Sequence, residues 1–303
     1  MKEHLSIVSQ FDKLPLDVII MSCAHPKGIV QISHGMCEHK ERYLEFMEYL
    51  IQNQYVCIVH DHRGHGKSIL KDDDLGYFYE NGHIGIVEDL HQVSLFIKER
   101  YPSLPLYLFG HSMGSLVVRC YAQKYDDDIQ GLIVCGSPSE NPAAPMGLRL
   151  ASWISKHKGH HHRSQFIQKI SFESFNKKFD TNTPNSWICS DKDIVDDYNK
   201  NPLCRYIFTA NGFHSLFSLV LKTYSPKGWL LKHKELPIHF IAGSEDPCII
   251  NEKKFNQAVS FMKNVGYLNV TSFLFKGMRH EILNEKDKYK VYQHILEILK
   301  TWE

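Results

Sequence analysis

Segments of apolar, β-branched residues alternate along this chain with segments whose apolar residues recur every three or four positions. Four of the apolar segments are nearly continuous hydrophobic runs, which is typical of strands that helices cover on both faces. The alternation predicts an α/β fold with a doubly wound, mostly parallel sheet. The predicted strands are Asp17–Cys23, Gly28–Ser33, Tyr55–His60, Leu106–Phe109, Gln130–Cys135, Ile238–Ala242 and Asn269–Phe275.

Two of the intervening segments have clear helical spacing. Leu44, Met47 and Ile51 fall on one face of a helix predicted over residues 43–51, and residues 86–97 repeat the pattern. Helices of this length serve as crossovers between parallel strands. The spacing therefore supports a parallel sheet.

The alternation stops after Cys135 and resumes at Leu236. The residues between begin with the irregular stretch 141–145, which contains two prolines, and they are rich in aromatic side chains. We interpret residues 137–225 as a helical insertion, here called the cap. The core domain is then formed by residues 1–136 and 226–303, and at least half of the apolar cap residues are expected to pack against it.

The composition excludes several classes of protein. Among 303 residues, 43% are hydrophobic, and 35 basic residues nearly balance 34 acidic ones, so no global field attracts nucleic acid. No apolar run reaches the roughly 18 residues that a membrane-spanning helix needs, and no signal-peptide pattern follows Met1. We expect a cytoplasmic protein, and the sequence leaves its oligomeric state open.

The cysteines predict free thiols. All eight are dispersed along the chain without a C-x-x-C motif, and several, such as Cys57, lie inside predicted strands. This distribution favours buried thiols over a disulfide framework.

The strongest chemical signal is the segment Gly110-His111-Ser112-Met113-Gly114, a G-x-S-x-G motif. It follows the predicted strand Leu106–Phe109 directly and precedes a helical pattern, which is the context of a nucleophile elbow. The turn is strained and tightly packed, so small residues are needed on both sides of the serine. We predict that Ser112 is a nucleophile at the carboxyl end of its strand.

A serine hydroxyl needs a base to remove its proton, and that base needs an orienting acid. In folds with this elbow the partners follow in the order serine, acid, histidine. Asp246 and His280 each follow a predicted strand, at the edge of the sheet where ligands bind. Glu245 is the competing acid, and Asp246 is favoured because Pro247 and the apolar run Cys248-Ile249-Ile250 resemble the acid turn of enzymes with this elbow.

An oxyanion hole requires two backbone N–H groups near the nucleophile. Met113 provides the first, and Met36, in the glycine-containing loop after Gly28–Ser33, is the best candidate for the second. Histidines at positions 60, 62 and 65 could suggest a metal site. We predict none, because no acidic or thiolate ligand set accompanies them.

Five stretches taken together carry a family resemblance: His34-Gly35-Met36-x-Glu38-His39, Asp61-x-Arg63-Gly64-x-Gly66-x-Ser68, the serine motif, Gly243-Ser244-Glu245-Asp246-Pro247, and the segment around His280. They resemble the monoacylglycerol lipase and lysophospholipase branch of the α/β-hydrolase superfamily, over most of the chain. The resemblance implies a serine hydrolase with a helical lid, no cofactor, and a small-molecule ester substrate that carries an acyl chain. In the insertion, Trp187 followed by Asp197-Tyr198-x-x-Asn201-Pro202-Leu203-Cys204 resembles a cap segment of bacterial members, in which Asp is the commoner residue at the position of Asn201.

The aromatic content of the cap exceeds what a small insertion needs for its own packing, so part of it should line an acyl pocket. The candidates are Trp153, Phe175, Trp187 and Phe213. Residues 149–178 hold seven Lys or Arg and one acid, Glu173. A solvated face is the expected reading of this basic stretch, with contact to a lipid surface as the alternative.

Two other functions stay open. Proline iminopeptidases share the fold and triad implied here, but they bind an ammonium group and therefore need carboxylates in the cap, which the basic stretch disfavours. A non-enzymatic binding protein on the same fold is the third interpretation. The presence of all three triad candidates favours an enzyme.

Overall fold

The computed structural model describes residues 1–303, and one eight-stranded sheet runs through it in the order β1-β2-β4-β3-β5-β6-β7-β8. The strands are Lys2–Val8 (β1), Pro15–Met21 (β2), Gly28–Ser33 (β3), Tyr55–His60 (β4), Leu106–His111 (β5), Gly131–Cys135 (β6), Ile238–Gly243 (β7) and Val270–Phe275 (β8). Strand β2 pairs antiparallel with β1 and β4, and all other pairs are parallel. The predicted mostly parallel sheet is confirmed.

Nine α-helices accompany the sheet: Leu44–Gln52 (α1), Gly82–Arg100 (α2), Met113–Tyr125 (α3), Ala144–Lys158 (α4), Gln165–Phe172 (α5), Lys192–Lys200 (α6), Ala210–Thr223 (α7), Glu252–Val265 (α8) and Lys288–Thr301 (α9). Apolar residues of α1 and α9 share one buried cluster with the sheet, and those of α2, α3 and α8 share another. Because β3 to β7 are covered on both faces, their side chains are almost all buried, which explains the continuous apolar runs.

Strand β1 was not predicted from the sequence. It lies at the edge of the sheet, paired only with β2, and exposed residues alternate in it with half-buried ones and with buried Ile7. Polar Lys2, Glu3, His4 and Ser6 interrupt its apolar residues, so the stretch lacks the run that marked the central strands. Pairing with β2, and not hydrophobicity, determines this strand.

Helices α4 to α7 all lie between β6 and β7, within the predicted cap. Helix α7 packs against α4 on one side and against α2 and α3 of the core on the other. Its residues Phe213, Leu216 and Leu219 belong to the same buried cluster as the core helices. The end of the insertion is therefore anchored on the core, and the cap as a separate unit stays a prediction.

All eight cysteines are free thiols, seven of them buried, as the sequence predicted. None of the helices combines the length and hydropathy that crossing a bilayer requires.

Four histidines are buried together where β3 and β4 end: His34, His60, His62 and His65. The His34 and His60 rings lie 4.4 and 4.8 Å from the His62 ring, centroid to centroid. Neither ring nitrogen of His60 has a hydrogen-bond partner. Burial lowers the pKa of His34 to about 4 and the pKa values of His60 and His65 to about 3, so the folded chain holds these imidazoles neutral.

This cluster predicts acid sensitivity of the fold. The unfolded chain protonates each imidazole below about pH 6.5, whereas the folded chain excludes the proton until about pH 4. Because the unfolded state then binds more protons, the free energy of unfolding should fall as pH falls through this window, by about 1.4 kcal/mol per pH unit for each histidine. Denaturant unfolding at a series of pH values measures the slope.

The variant His60→Leu, similar in volume but without a titratable group, should reduce the proton uptake on unfolding by about one. His157→Gln, at an exposed position, is the matched control and should leave the slope unchanged. An unaltered slope in His60→Leu would contradict the assignment of the acid sensitivity to the buried cluster.

Candidate active site

Ser112 lies in a tight turn between the end of β5 and the start of α3. Its backbone has φ +53° and ψ −118°, a strained conformation for a residue with a side chain. A Cβ atom at Gly114 would overlap the carbonyl oxygens of Ser33 and His34, so only glycine allows this turn to contact the end of β3. The local geometry is that of a nucleophile elbow.

Asp246 and His280 are hydrogen-bonded to each other. Nδ1 of His280 donates to Oδ2 of Asp246 at 2.9 Å, and both side chains are buried. The backbone N–H of Cys248 donates to the other carboxylate oxygen of Asp246 at 2.8 Å, which fixes the carboxylate. Glu245 is exposed and its side chain makes no hydrogen bond, so the structure brings Asp246, and not Glu245, to the imidazole.

The loops that follow five neighbouring strands meet around these residues. A Cβ atom at Gly136, after β6, would lie 3.3 Å from both the Asp246 carboxylate and the His280 ring, and one at Gly35, after β3, would lie 3.1 Å from the Ser112 Cβ. Ser112 is half-buried, and no hydrogen bond within the chain involves its hydroxyl. Hydrogen bonds between a nucleophile and its base commonly tighten only when substrate binds.

Two loops carry the predicted oxyanion donors. Met36 follows β3 and is half-buried, and Met113 is the first residue of α3 and is buried. Neither N–H group has an acceptor within the chain, so both are available to a ligand. The start of a helix favours negative charge, and Met113 is at such a position.

A buried carboxylate that the sequence reasoning did not assign lies between the two loops. Glu38 accepts hydrogen bonds from the backbone N–H of Gly35, from the Tyr43 hydroxyl at 2.9 Å and from Nδ1 of His111 at 3.2 Å. His111 in turn donates from Nε2 to the carbonyl oxygen of His280 at 3.3 Å. This series of hydrogen bonds, from Gly35 through Glu38 and His111 to His280, therefore links the oxyanion loop, the nucleophile turn and the base.

Arg42 joins a second carboxylate to this link. It contacts Glu38 at 3.0 Å and forms a bidentate ion pair with Glu281, at 2.7 and 2.6 Å. Glu281 is the residue that follows His280. The sequence carried two signals for this network: Glu38 belongs to one of the stretches that carry the family resemblance, and Arg42 follows it four positions later.

The electrostatics of the network favour charged partners. Burial by itself would raise the pKa of Glu38, but the hydrogen bond and charge of His111, with the charge of Arg42, hold it well below its usual range. Burial likewise opposes protonation of His111, and Glu38 overcomes this and raises the pKa of the imidazole. Both ring nitrogens of His111 also face acceptors, Oε1 of Glu38 and the carbonyl oxygen of His280, so the hydrogen-bond geometry fits an imidazolium paired with the carboxylate.

The four aromatic cap candidates occupy different places. The Trp187 ring lies 5.0 Å from the His280 ring, and Phe175 lies 5.1 Å from Trp187. Phe213 is fully buried and packs on Phe208 and Phe217 inside the core cluster. Trp153 is 56% exposed and packs on His157. The structure thus brings two of the four toward the base.

Asn201 has a local structural role. Its Oδ1 accepts from the backbone N–H of Leu203 at 2.9 Å, and its Nδ2 lies 2.9 Å from Nε2 of His39. The amide therefore holds the turn after α6 against the oxyanion loop.

Comparison with known proteins agrees with this geometry. Residues 24–287 match the profile of the hydrolase family described as serine aminopeptidase, S33. The monoglyceride lipase homolog of monkeypox virus is 26% identical over 281 residues, which span 92% of this chain and 90% of the viral protein. The monoglyceride lipase of Rattus norvegicus is 25% identical over 284 residues, which span 91% of this chain and 82% of the rat protein.

A solved structure extends the likeness to three dimensions. The thermostable carboxyl esterase from Bacillus coagulans, in complex with glycerol, superimposes with a TM-score of 0.91 at 27% identity, over 99% of this chain and 98% of the esterase. The resemblance drawn from the sequence motifs is confirmed. The chain belongs to the serine aminopeptidase S33 family of α/β-hydrolases, in the branch that includes the monoglyceride lipases.

Proposed function

We propose that this carboxylic ester hydrolase cleaves monoacyl esters, of the monoacylglycerol or lysophospholipid type, through an acyl-enzyme on Ser112. The observation that carries the proposal is the buried hydrogen bond between Asp246 and His280 beside the strained turn of Ser112. This arrangement supplies an oriented base next to a half-buried nucleophile at the carboxyl edge of the sheet.

In the proposed reaction His280 takes the hydroxyl proton of Ser112 on Nε2 as the oxygen attacks the ester carbonyl. Asp246 holds the imidazole through Nδ1 and stabilises the imidazolium that forms. The N–H groups of Met36 and Met113 bind the oxyanion of the tetrahedral intermediate. The imidazolium then gives its proton to the departing alcohol, and water repeats the sequence to release the acid.

An aromatic row supports an acyl substrate. Trp187, Phe175 and Phe172 follow one another from the His280 ring into the cap, with centroid separations of 5.0, 5.1 and 5.6 Å. We infer that residues 137–225 act as a lid whose aromatic row covers the acyl chain. The cap also exposes Met146, Trp153, Phe166 and Ile170, and this apolar surface beside basic residues fits contact with a lipid aggregate.

The charges around the site favour an ester over a peptide with a free amine. An aminopeptidase needs a carboxylate that is free to bind the substrate ammonium. The buried carboxylates beside the triad, Glu38 and Glu281, are already paired with Arg42 and His111. A cationic substrate would therefore have to compete with internal ion pairs.

Substitutions in the triad test the mechanism. Ser112→Ala should lose on the order of a million-fold in turnover while the protein stays folded, and Asp246→Asn should lose about ten-thousand-fold, because the acid acts through the imidazole. Glu245→Gln, at the exposed neighbouring carboxylate, is the matched control and should retain full activity. Initial rates with a p-nitrophenyl ester measure each effect, and activity of Ser112→Ala within tenfold of the parent would move the nucleophile elsewhere.

A second prediction concerns Glu38 as a positioning residue. Glu38→Gln keeps an acceptor for Gly35 but removes the charge that keeps His111 protonated, so kcat should fall about 10- to 100-fold with little change in KM. Without the carboxylate, burial lowers the pKa of His111, so the remaining activity should decline at a lower pH than in the parent.

The control for this prediction is Glu41→Gln. Glu41 lies in the same segment, but it pairs with His39 and Lys40 and makes no hydrogen bond to Gly35, His111 or Arg42. Equal losses in kcat for Glu38→Gln and Glu41→Gln, or a pH profile of Glu38→Gln that coincides with the parent's, would contradict the positioning role. Glu38 would then only stabilise the fold.

A third prediction concerns chain length. Each methylene buried along the aromatic row contributes about 0.8 kcal/mol, so kcat/KM should rise roughly three- to fourfold per carbon from acetate until the site is full. Phe175→Ala should lose about tenfold on the longest esters and nothing on acetate, whereas Trp153→Ala should match the parent. The assay compares acetyl to dodecanoyl esters, and a profile that is flat in the parent would eliminate the acyl site.

A further inference from the structure

A thiol lies against the free nitrogen of the proposed base. Sγ of Cys248 is 3.9 Å from Nε2 of His280, the nitrogen that does not face Asp246. The ligand atoms of Asp246, Cys248 and His280 all lie within 4.8 Å of one another, and all three residues are buried. No other group of three His, Cys, Asp or Glu side chains in the chain has its ligand atoms so close.

This spacing fits a thiophilic metal ion. Zinc binds sulfur at about 2.3 Å and imidazole nitrogen at about 2.0 Å, so a tetrahedral ion places the two ligand atoms about 3.5 Å apart. The observed 3.9 Å between Sγ and Nε2 requires only a small movement of the thiol. Metal-bound histidines also typically donate their other N–H to a carboxylate, as Nδ1 of His280 does to Asp246.

We propose that Cys248 and His280 form an inhibitory binding site for a thiophilic divalent cation such as Zn²⁺ or Cd²⁺. The ion is held by the Cys248 thiolate and Nε2 of His280, with Asp246 orienting the imidazole and water completing the coordination. Nε2 is then no longer available to take the Ser112 proton, so occupancy blocks acyl transfer; this consequence rests on the function proposed above.

The proton balance of binding is simple. The neutral imidazole carries its proton on Nδ1, so Nε2 binds the ion without losing a proton. The thiol must release one, and burial raises the pKa of Cys248, which opposes that release. Metals that bind thiolates weakly, such as Mg²⁺ and Ca²⁺, therefore should not occupy the site.

Inhibition is measured by titrating ZnCl₂ into the ester assay in a buffer that does not bind metals, with rates expressed relative to each variant without zinc. The parent should be inhibited, and EDTA should restore its activity. Loss of an outer partner of a metal ligand lowers metal affinity by about 10- to 100-fold. Because Cys248→Ala removes a ligand itself, it should raise the half-inhibiting zinc concentration by at least as much. Cys135→Ala removes a buried thiol at the end of the neighbouring strand β6 and should behave as the parent.

A direct binding measurement separates this proposal from the proposed function. Cd²⁺ added to Ser112→Ala should produce the ultraviolet sulfur-to-metal charge-transfer band, which the double variants Ser112→Ala/Cys248→Ala and Ser112→Ala/His280→Ala should lose. The band requires no ester hydrolysis, so it tests the site even if Ser112 proves not to be the nucleophile. Equal zinc sensitivity of the parent and Cys248→Ala, or a cadmium band that survives in Ser112→Ala/Cys248→Ala, would overturn the proposal.

Discussion

The buried carboxylate of Glu38 is the interaction on which the geometry of the site depends. One oxygen receives the N–H of Gly35 and the imidazole of His111, and the other contacts Arg42. Gly35 precedes the proposed oxyanion donor Met36, and His111 precedes Ser112. A single side chain therefore sets the distance between the loop that would bind the oxyanion and the turn that presents the nucleophile, and the carbonyl of His280 is joined to the same unit through His111.

The network can be buried because its charges balance. Two carboxylates, Glu38 and Glu281, are matched by the guanidinium of Arg42 and the imidazolium of His111. A buried charge without a partner costs several kcal/mol, whereas a hydrogen-bonded and neutral group of charges avoids most of that cost. The arrangement contributes little to net stability by comparison with an apolar core, and its value lies in fixing three loops that the sheet alone does not fix.

The histidines of the molecule show how environment divides one residue type among several roles. A carboxylate raises the pKa of His111, while burial among other imidazoles lowers the pKa values of His34, His60 and His65 and keeps them neutral. His280 takes a third role, because its two ring nitrogens face different groups, a carboxylate and a thiol. The thiol beside Nε2 is what makes the same imidazole both a proposed base and a proposed metal ligand.

The sequence by itself determined the central strands and the parallel sheet, and it singled out Ser112, Asp246 and His280 as the proposed catalytic residues, of which the structure joins Asp246 to His280 by a hydrogen bond. These follow from local signals: buried strands are continuous apolar runs, and the strained serine turn requires nearby glycines. Edge strand β1 has no apolar run of its own and depends on pairing with β2. The anchoring of α7 on the core and the ion pairs of Glu38 and Glu281 depend on residues far apart in the chain, up to 239 positions for Arg42 and Glu281. The same holds for the cap, where the sequence could not separate Trp187 and Phe175, which approach the base, from exposed Trp153 and core-packed Phe213. An aromatic residue gives the same sequence signal whether it faces a ligand, the core or water, and only the tertiary packing decides which.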